Sequence, residues 1–399
     1  MSVLYISYDG LADNLGRAQI IPYITGLSKK MGLRFNILTF EKAGCLKDAA
    51  LISSIKNELT LAGARWFPLT YHKRPALIAT AYDLAQGLIT GIAIAKKDRI
   101  EFIHGRSFIG SVIAFFIRKI LKCKVILDVR GFWPEERVEA GIWKEGGWLY
   151  KASKAIEMML VSSAEEIIML TALGRDEFKK RYAGLELNIT VIPTCVDIDK
   201  PIRQEAPIAF LERLRRDGCF VITYIGSVST WYMPDEMFKF FNTVKGMFKK
   251  SFFLVLTAET GYLKNRTGGG EDMSILSLSN DLVPQYLRAS KVGLAFYKPG
   301  YSRIACCPTK LGEYLNSGIP VIINAGIGDS EQIIAGENVG VVITDFSEEE
   351  YERAARKIQE LQSEGDVLRH RCVAAAKKYF SLNIGIDRYQ SVYTRILAA

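Results

Sequence analysis

Lys310 and Glu313 stand three residues apart in the stretch CCPTKLGEYLNSGIPVIIN, Cys306 to Asn324. That spacing puts both side chains on one face of a helix. Pro308 suits a first helical position and Gly318 a left-handed helix end, so a helix of about three turns is expected between them. The β-branched run Ile319 to Ile323 then reads as a buried parallel strand. In this arrangement the free N–H groups of Thr309, Lys310 and Leu311 face the open edge of a sheet, where donors and helix dipole favour a phosphate. Lys310 adds a full positive charge, and Glu313 can accept hydrogen bonds from a diol such as ribose. An ordinary capped crossover with a solvated Lys–Glu pair fits the same pattern, and both readings stay open here.

A second concentration of charge follows two strand-like runs in the first half. HGRS (104–107) and DVRGFWPEERV (128–138) bring Arg106, Arg130, Glu135, Glu136 and Arg137 towards one sheet edge. Guanidinium forks suit phosphates and carboxylates, although an internal Arg–Glu network explains the same residues. His104 is expected on a different side of its strand from Arg106. Nearer the start, the loop DGLADNLGRAQ (9–19) contains Gly10 and Gly16 but is not GxGxxG, so a dinucleotide fingerprint is missing where it would be needed.

These residues need a frame, and the chain supplies βα alternation. Strands are expected at Val3–Tyr8, Phe35–Phe40, Trp66–Thr70, Phe102–His104, Val125–Val129, Ile167–Leu170, Thr190–Ile192, Phe220–Ile225, Phe252–Leu256, Ile275–Leu278, Val292–Phe296 and Val339–Ile343. Helical stretches separate them, which argues for parallel sheets covered on both faces. With 399 residues, two α/β domains are expected: residues 1–200 with a returning C-terminal helix, 383–399, and residues 201–382. Pro193, Pro201 and Pro207 mark the boundary. The pair Asp197 and Asp199 reads as linker rather than metal site, and Gly268 to Gly270 as a loop tip.

Composition is that of a globular protein, 49% hydrophobic and 24% charged. Met1 leads straight into a strand-like run with no basic head or cleavage site, so no signal peptide is expected. Seven cysteines without a CxxC pair suggest a reducing cytoplasm, and Cys306 with Cys307 lack partners for a metal. Pro75 to Ala95 is nearly long enough to span a membrane, but Asp83 at its middle favours a buried or surface-docked helix. The net charge of +9 is uneven, with 28 Lys and Arg against 21 Asp and Glu in residues 1–200. A basic half attracts an anionic membrane or a phosphorylated substrate, and Phe115, Phe116, Arg118, Lys119 and Lys122 offer one such contact. Nucleic acid is disfavoured, because aromatics and basic residues do not interleave in a recognisable module.

The string PTKLGEYLNSGIPVI resembles the donor-site segment of retaining glycosyltransferase family 4, whose fold is GT-B, two Rossmann-like domains facing a cleft. The resemblance implies that this helix holds a nucleotide-sugar diphosphate and that Glu313 holds the ribose. It adds Gly16, Gly226 and Ser227 to the donor contacts, places Asp13, Arg17 and Glu135 against an acceptor, and puts Arg106 and Arg130 at the reacting centre. It also implies that the strand end Leu276–Ser279 stacks the base. Three departures stand out: Arg106 replaces a common histidine, no Arg or Lys lies between Gly226 and Pro234, and Ala305 replaces the first of two glutamates. The implied activity is a hexosyltransferase of polysaccharide or glycolipid synthesis, moving a sugar with retention from a nucleoside diphosphate to a glycan or lipid-linked acceptor, with neither cofactor nor metal. A non-hydrolysing nucleotide-sugar epimerase and a catalytically silent nucleotide-sugar-binding partner remain as alternatives.

Overall fold

The computed structural model describes residues 1–200, 208–248, 250–264 and 270–398. Pro201, Pro207, Gly268 and Gly269 lie outside them. Two compact units are present: Met1–Thr194 with Leu382–Ala399, and Cys195–Ser381.

In the first unit seven parallel strands form one sheet: β1 (Ser2–Ser7), β2 (Arg34–Glu41), β3 (Arg65–Thr70), β4 (Phe102–Arg106), β5 (Lys124–Val129), β6 (Glu166–Met169) and β7 (Ile189–Val191). Their order is β3-β2-β1-β4-β5-β6-β7. The second unit holds six: β8 (Phe220–Ile225), β9 (Ser251–Leu256), β10 (Met273–Leu276), β11 (Val292–Ala295), β12 (Val321–Asn324) and β13 (Gly340–Ile343), in the order β10-β9-β8-β11-β12-β13. Each expected strand is present, its ends within two residues of the apolar run that announced it. Both sheets reverse direction once, between β1 and β4 and between β8 and β11, and ligands in such sheets collect outside the strand ends at that reversal.

Alternation along the strands decides which helices each face receives. Leu4, Ile6, Leu38 and Phe40 share a buried cluster with Ile94, Ile113 and Ile117. These last three come from helices that are labelled here in chain order. α1 (Asn14–Gln19) and α2 (Ile21–Met31) follow β1; α3 (Ala76–Asp98) and α4 (Ser107–Leu121) flank β4; α5 (Trp133–Glu139) follows β5. On the opposite face the Tyr5 ring lies 4.5 Å from that of His104, and Phe35, Phe102 and His104 meet Tyr389 or Tyr393. These tyrosines lie on the chain's last helix, Leu382–Ala398, which packs beside α2 and belongs to the first unit. Arg395 grips Glu166 through Nε (2.7 Å) and Nη2 (2.8 Å), and Lys124 donates to the Ile396 carbonyl (2.9 Å).

Three local expectations change. The loop 9–19 is half helical, because α1 begins at Asn14. Gly16 therefore sits inside a helix, where a Cβ would lie 2.1 Å from the Gly10 carbonyl oxygen. Its glycine serves the close approach of backbone to backbone. The helix after Pro308, here α6 (Thr309–Asn316), has eight residues, nearer two turns than three, and Pro308 is its N-cap. Gly318 is left-handed as expected, with φ of 76°.

Candidate functional site

The stronger site lies at the reversal of the second sheet. β8 ends at Ile225, and Gly226 turns the chain with φ of 110°, which favours glycine. α6 arrives at the same edge, anchored by Tyr314, whose hydroxyl accepts from the Ile225 N–H (2.9 Å) and donates to the Leu294 carbonyl (3.0 Å). Pro308 has no side-chain acceptor to cap the helix, so the first-turn N–H groups of Thr309 and Lys310 have no capping partner. Leu311 differs from expectation: its N–H is already bonded to the Pro308 carbonyl (3.2 Å).

Lys310 is buried rather than freely charged. Its Nζ donates to the Tyr224 hydroxyl (2.9 Å) and lies 4.0 Å and 4.1 Å from the ring centres of Tyr224 and Tyr232, with Tyr297 at 5.4 Å. Burial pushes its pKa down to about 7, against a smaller opposing pull from Glu313. The full positive charge expected at neutral pH is thus only partly present, because the cost of desolvating an ammonium exceeds what three π-faces return. Glu313 is half-buried on the same helix, and its carboxyl is raised above the ordinary value by burial, with Lys310 pulling the other way.

The turn after Gly226 holds a residue that spacing did not reveal. Glu259, just beyond β9, accepts from Ser227 Oγ (2.5 Å), Ser229 Oγ (3.1 Å) and the N–H groups of Val228 and Ser229 (both 3.0 Å). Burial alone would raise this carboxyl, but the four donors hold it below its usual value. Ser227 and the neighbouring backbone donors are therefore occupied by a carboxylate. Glu41 does the same at the first sheet's reversal, accepting from the Leu11 N–H (2.7 Å), the Ala12 N–H (3.1 Å) and Thr39 Oγ1 (2.6 Å). Each glutamate comes from the strand beside the one whose loop it holds, β9 beside β8 and β2 beside β1. The sequence signal was a lone acid at or just past the C-terminal end of an apolar strand. Replacing Glu259 by glutamine removes one negative charge from this turn, and diphosphate affinity by calorimetry is expected to rise by about three- to tenfold. A fall would mean that the turn needs the carboxylate to keep its shape.

In the first unit, parallel pairing sets Arg106 opposite Asp128 across β4 and β5. His104 and Arg106 turn out to share a side of β4, as a two-residue period requires, and both reach Asp128. His104 Nε2 is 3.2 Å from Oδ2, Arg106 Nη1 3.6 Å from Oδ2 and Arg130 Nη1 3.5 Å from Oδ1. Tyr389 donates to Oδ2 at 3.2 Å, and His104 Nδ1 lies 2.8 Å from the Tyr393 hydroxyl. Burial would raise the Asp128 carboxyl, but Arg130, His104 and Arg106 hold it far below its usual value. Burial lowers the His104 pKa, so its neutral Nε2–H donates to Asp128 while Nδ1 accepts from Tyr393. Arg106 is fully buried, with Nε and Nη1 making no hydrogen bond. Arg130 is half-buried at the rim.

The remaining expected residues are placed elsewhere. Glu135 lies on α5 in a network with Lys154 (3.0 Å), Arg181 (3.2 Å) and Tyr150 (3.4 Å), which is the internal Arg–Glu arrangement. Asp13 pairs with Lys42 (3.0 Å), and Arg17 approaches Glu58 at 3.9 Å. Ala305, where the resemblance would place a glutamate, is buried. Among the described residues no group of three or more His, Cys, Asp or Glu is gathered to hold a metal.

Residues 279–365 match the family model described as the Glucosyltransferase 3-like C-terminal domain, a stretch that includes α6. No curated protein sequence matches the chain significantly. Solved structures with the same fold include Anabaena HepE in complex with UDP and glucose (TM-score 0.67, 13% identity, covering 98% of this chain and 99% of that one). A sucrose-phosphate synthase from Thermosynechococcus elongatus gives 0.70 at 12% identity over 100% and 99%. A glycosyltransferase from Rickettsia africae gives 0.69 at 13% over 99% and 98%. The fold is α/β of the GT-B class.

Proposed function

We propose that the protein is a retaining glycosyltransferase of family 4 type, moving a sugar from a nucleoside diphosphate to a glycan or lipid-linked acceptor. The observation that carries this reading is the uncapped start of α6, with Lys310 set in a tyrosine cage beside Gly226 at the sheet reversal. A diphosphate there meets two backbone donors, the positive end of a helix dipole and an ammonium whose protonation it favours. Glu313, one turn on, accepts from the ribose hydroxyls. The sugar gains positive charge as its bond to phosphate breaks, and the leaving diphosphate gains negative charge that these donors stabilise. Attack from the same face, with the leaving phosphate taking the acceptor proton, needs no protein nucleophile and accounts for retention. Within the first unit Arg130, at the rim of its sheet, offers positive charge to an acceptor, while Arg106 is buried against Asp128. Residues 279–365 matching a glucosyltransferase-like domain, and solved neighbours that carry UDP and UDP-glucose, support the donor class. Cysteines that form no disulfide among the described residues suit a cytoplasmic setting.

The test is calorimetric titration of UDP-, GDP- and ADP-sugars against the protein and its Glu313→Ala variant. Loss of the ribose contacts is expected to weaken the preferred donor by about tenfold to a hundredfold with an unchanged circular dichroism spectrum. Equal affinity in the variant sinks the donor assignment. Binding without transfer to any of a broad acceptor panel is the second reading, and Glu259 occupying the Gly226 turn favours it.

A further inference from the structure

α3 is built inside out. Its inward face is set by Ala79, Asp83, Gly87, Gly91, Ile94 and Ala95, all buried. Asp83, the acid that argues against lipid in the sequence, points into the fold, where it accepts from Tyr8 (2.8 Å) and from the His72 N–H (3.1 Å) and pairs with His72 Nδ1 (2.6 Å). The outward face from Leu77 to Ala93 consequently carries no charge at all. Ile78 and Ile89 are each 70% exposed, and Leu77 and Tyr82 are more than half exposed. A solvent-facing helix surface ordinarily shows the reverse pattern. The helix is long and apolar enough to cross a membrane by length and composition, yet its inner side is packed against α4 and the sheet, so it is placed to lie on a bilayer rather than span it.

What covers the face is indicated by its ends. Exposed Lys73 and Arg74 precede α3, exposed Lys96 and Lys97 close it, and no acid lies on its outer side between them. α4, packed beside α3, continues the pattern with exposed Phe116 and Ile120 flanking exposed Lys119. A second copy seated on this face would set basic end against basic end whether the two helices ran parallel or antiparallel. An anionic lipid surface complements both the apolar strip and its basic ends.

We propose that the outer face of α3, extended by Phe116 and Ile120 of α4, is a docking surface for an anionic bilayer, on which the helix lies parallel to the membrane. This surface does not depend on the transferase reading. The experiment is co-sedimentation with phosphatidylcholine vesicles, with and without phosphatidylglycerol, at low and at about 0.15 M salt. The intact protein is expected to bind the anionic vesicles, at least about tenfold more weakly at the higher salt and more weakly still to neutral vesicles. Ile78→Glu with Ile89→Glu is expected to reduce binding by at least about tenfold while the melting temperature and nucleotide affinity stay unchanged. Lys96→Ala with Lys97→Ala should reduce binding to anionic vesicles only. Equal binding by intact protein and the double-glutamate variant overturns the proposal, as does no binding by either. So does a dimer in light scattering that the glutamates dissolve, with no vesicle binding.

Discussion

Lys310→Met is expected to weaken nucleotide-diphosphate affinity by about thirty- to a hundredfold while making the protein more stable at neutral pH. The binding loss follows from removing a charged donor, worth about 2–3 kcal/mol. The stability gain follows from replacing a buried ammonium by an apolar chain that fits among Tyr224, Tyr232 and Tyr297, a change worth about 1–3 kcal/mol. The pH dependence has a definite sign. Burial pushes the Lys310 pKa from its ordinary 10.5 down to about 7 in the fold, so between those values the unfolded chain holds more protons than the folded one. Its contribution to stability is full above about pH 10.5 and is lost as pH falls through about 7. Chemical denaturation across that interval should show stability rising with pH, with a smaller rise in the methionine variant. Donor binding should take up a proton above pH 7, visible as a dependence of calorimetric heat on the buffer's ionisation enthalpy. A stability curve unaltered by the substitution, together with unaltered affinity, would falsify both the cage and the anion site.

Asp128→Ala should be the most damaging single change in the first unit. It strips the counter-charge from buried Arg106 and from Arg130, and removes an acceptor shared by His104 and Tyr389. Breaking a buried pair by removing one partner costs about 3–5 kcal/mol. Because the Asp128 carboxyl is held below its ordinary value, its contribution is present above about pH 4 and fades as pH falls. Urea titrations at pH 7 and at about pH 3, below the unfolded carboxyl's ordinary value, check this: the gap between the two proteins should narrow on acidification. A pH-independent gap would mean that the loss is one of packing alone.

The sheets were legible because each strand is a short β-branched or aromatic run, and such runs in a βα alternation admit few arrangements. Lys310 and Glu313 were legible as a pair on one helix face. The protonation of Lys310 was not, because it depends on Tyr224, Tyr232 and Tyr297, and no local spacing announces a cage assembled from three segments. Glu41 and Glu259 escaped for the same reason, since each acts on the loop of a neighbouring strand. The different sides expected for His104 and Arg106 were a misapplied period: residues two apart on a strand share a face. Asp83 was judged by its place in an apolar string, whereas the face it occupies decides what it means.

The position of the last helix has a consequence during synthesis. His104 and Asp128 are made early, but their partners Tyr393 and Tyr389 lie on a segment that leaves the ribosome only after all of Cys195–Ser381. At ordinary elongation rates that interval is about ten to forty seconds. During it the first sheet exists without the layer that covers Phe35 and Phe102, and with a buried carboxylate short of its donors. The second unit, continuous in sequence, has no such wait. The part of the chain made first is therefore the part that finishes folding last, and truncations within Leu382–Ala398 should be read as lesions of the N-terminal unit.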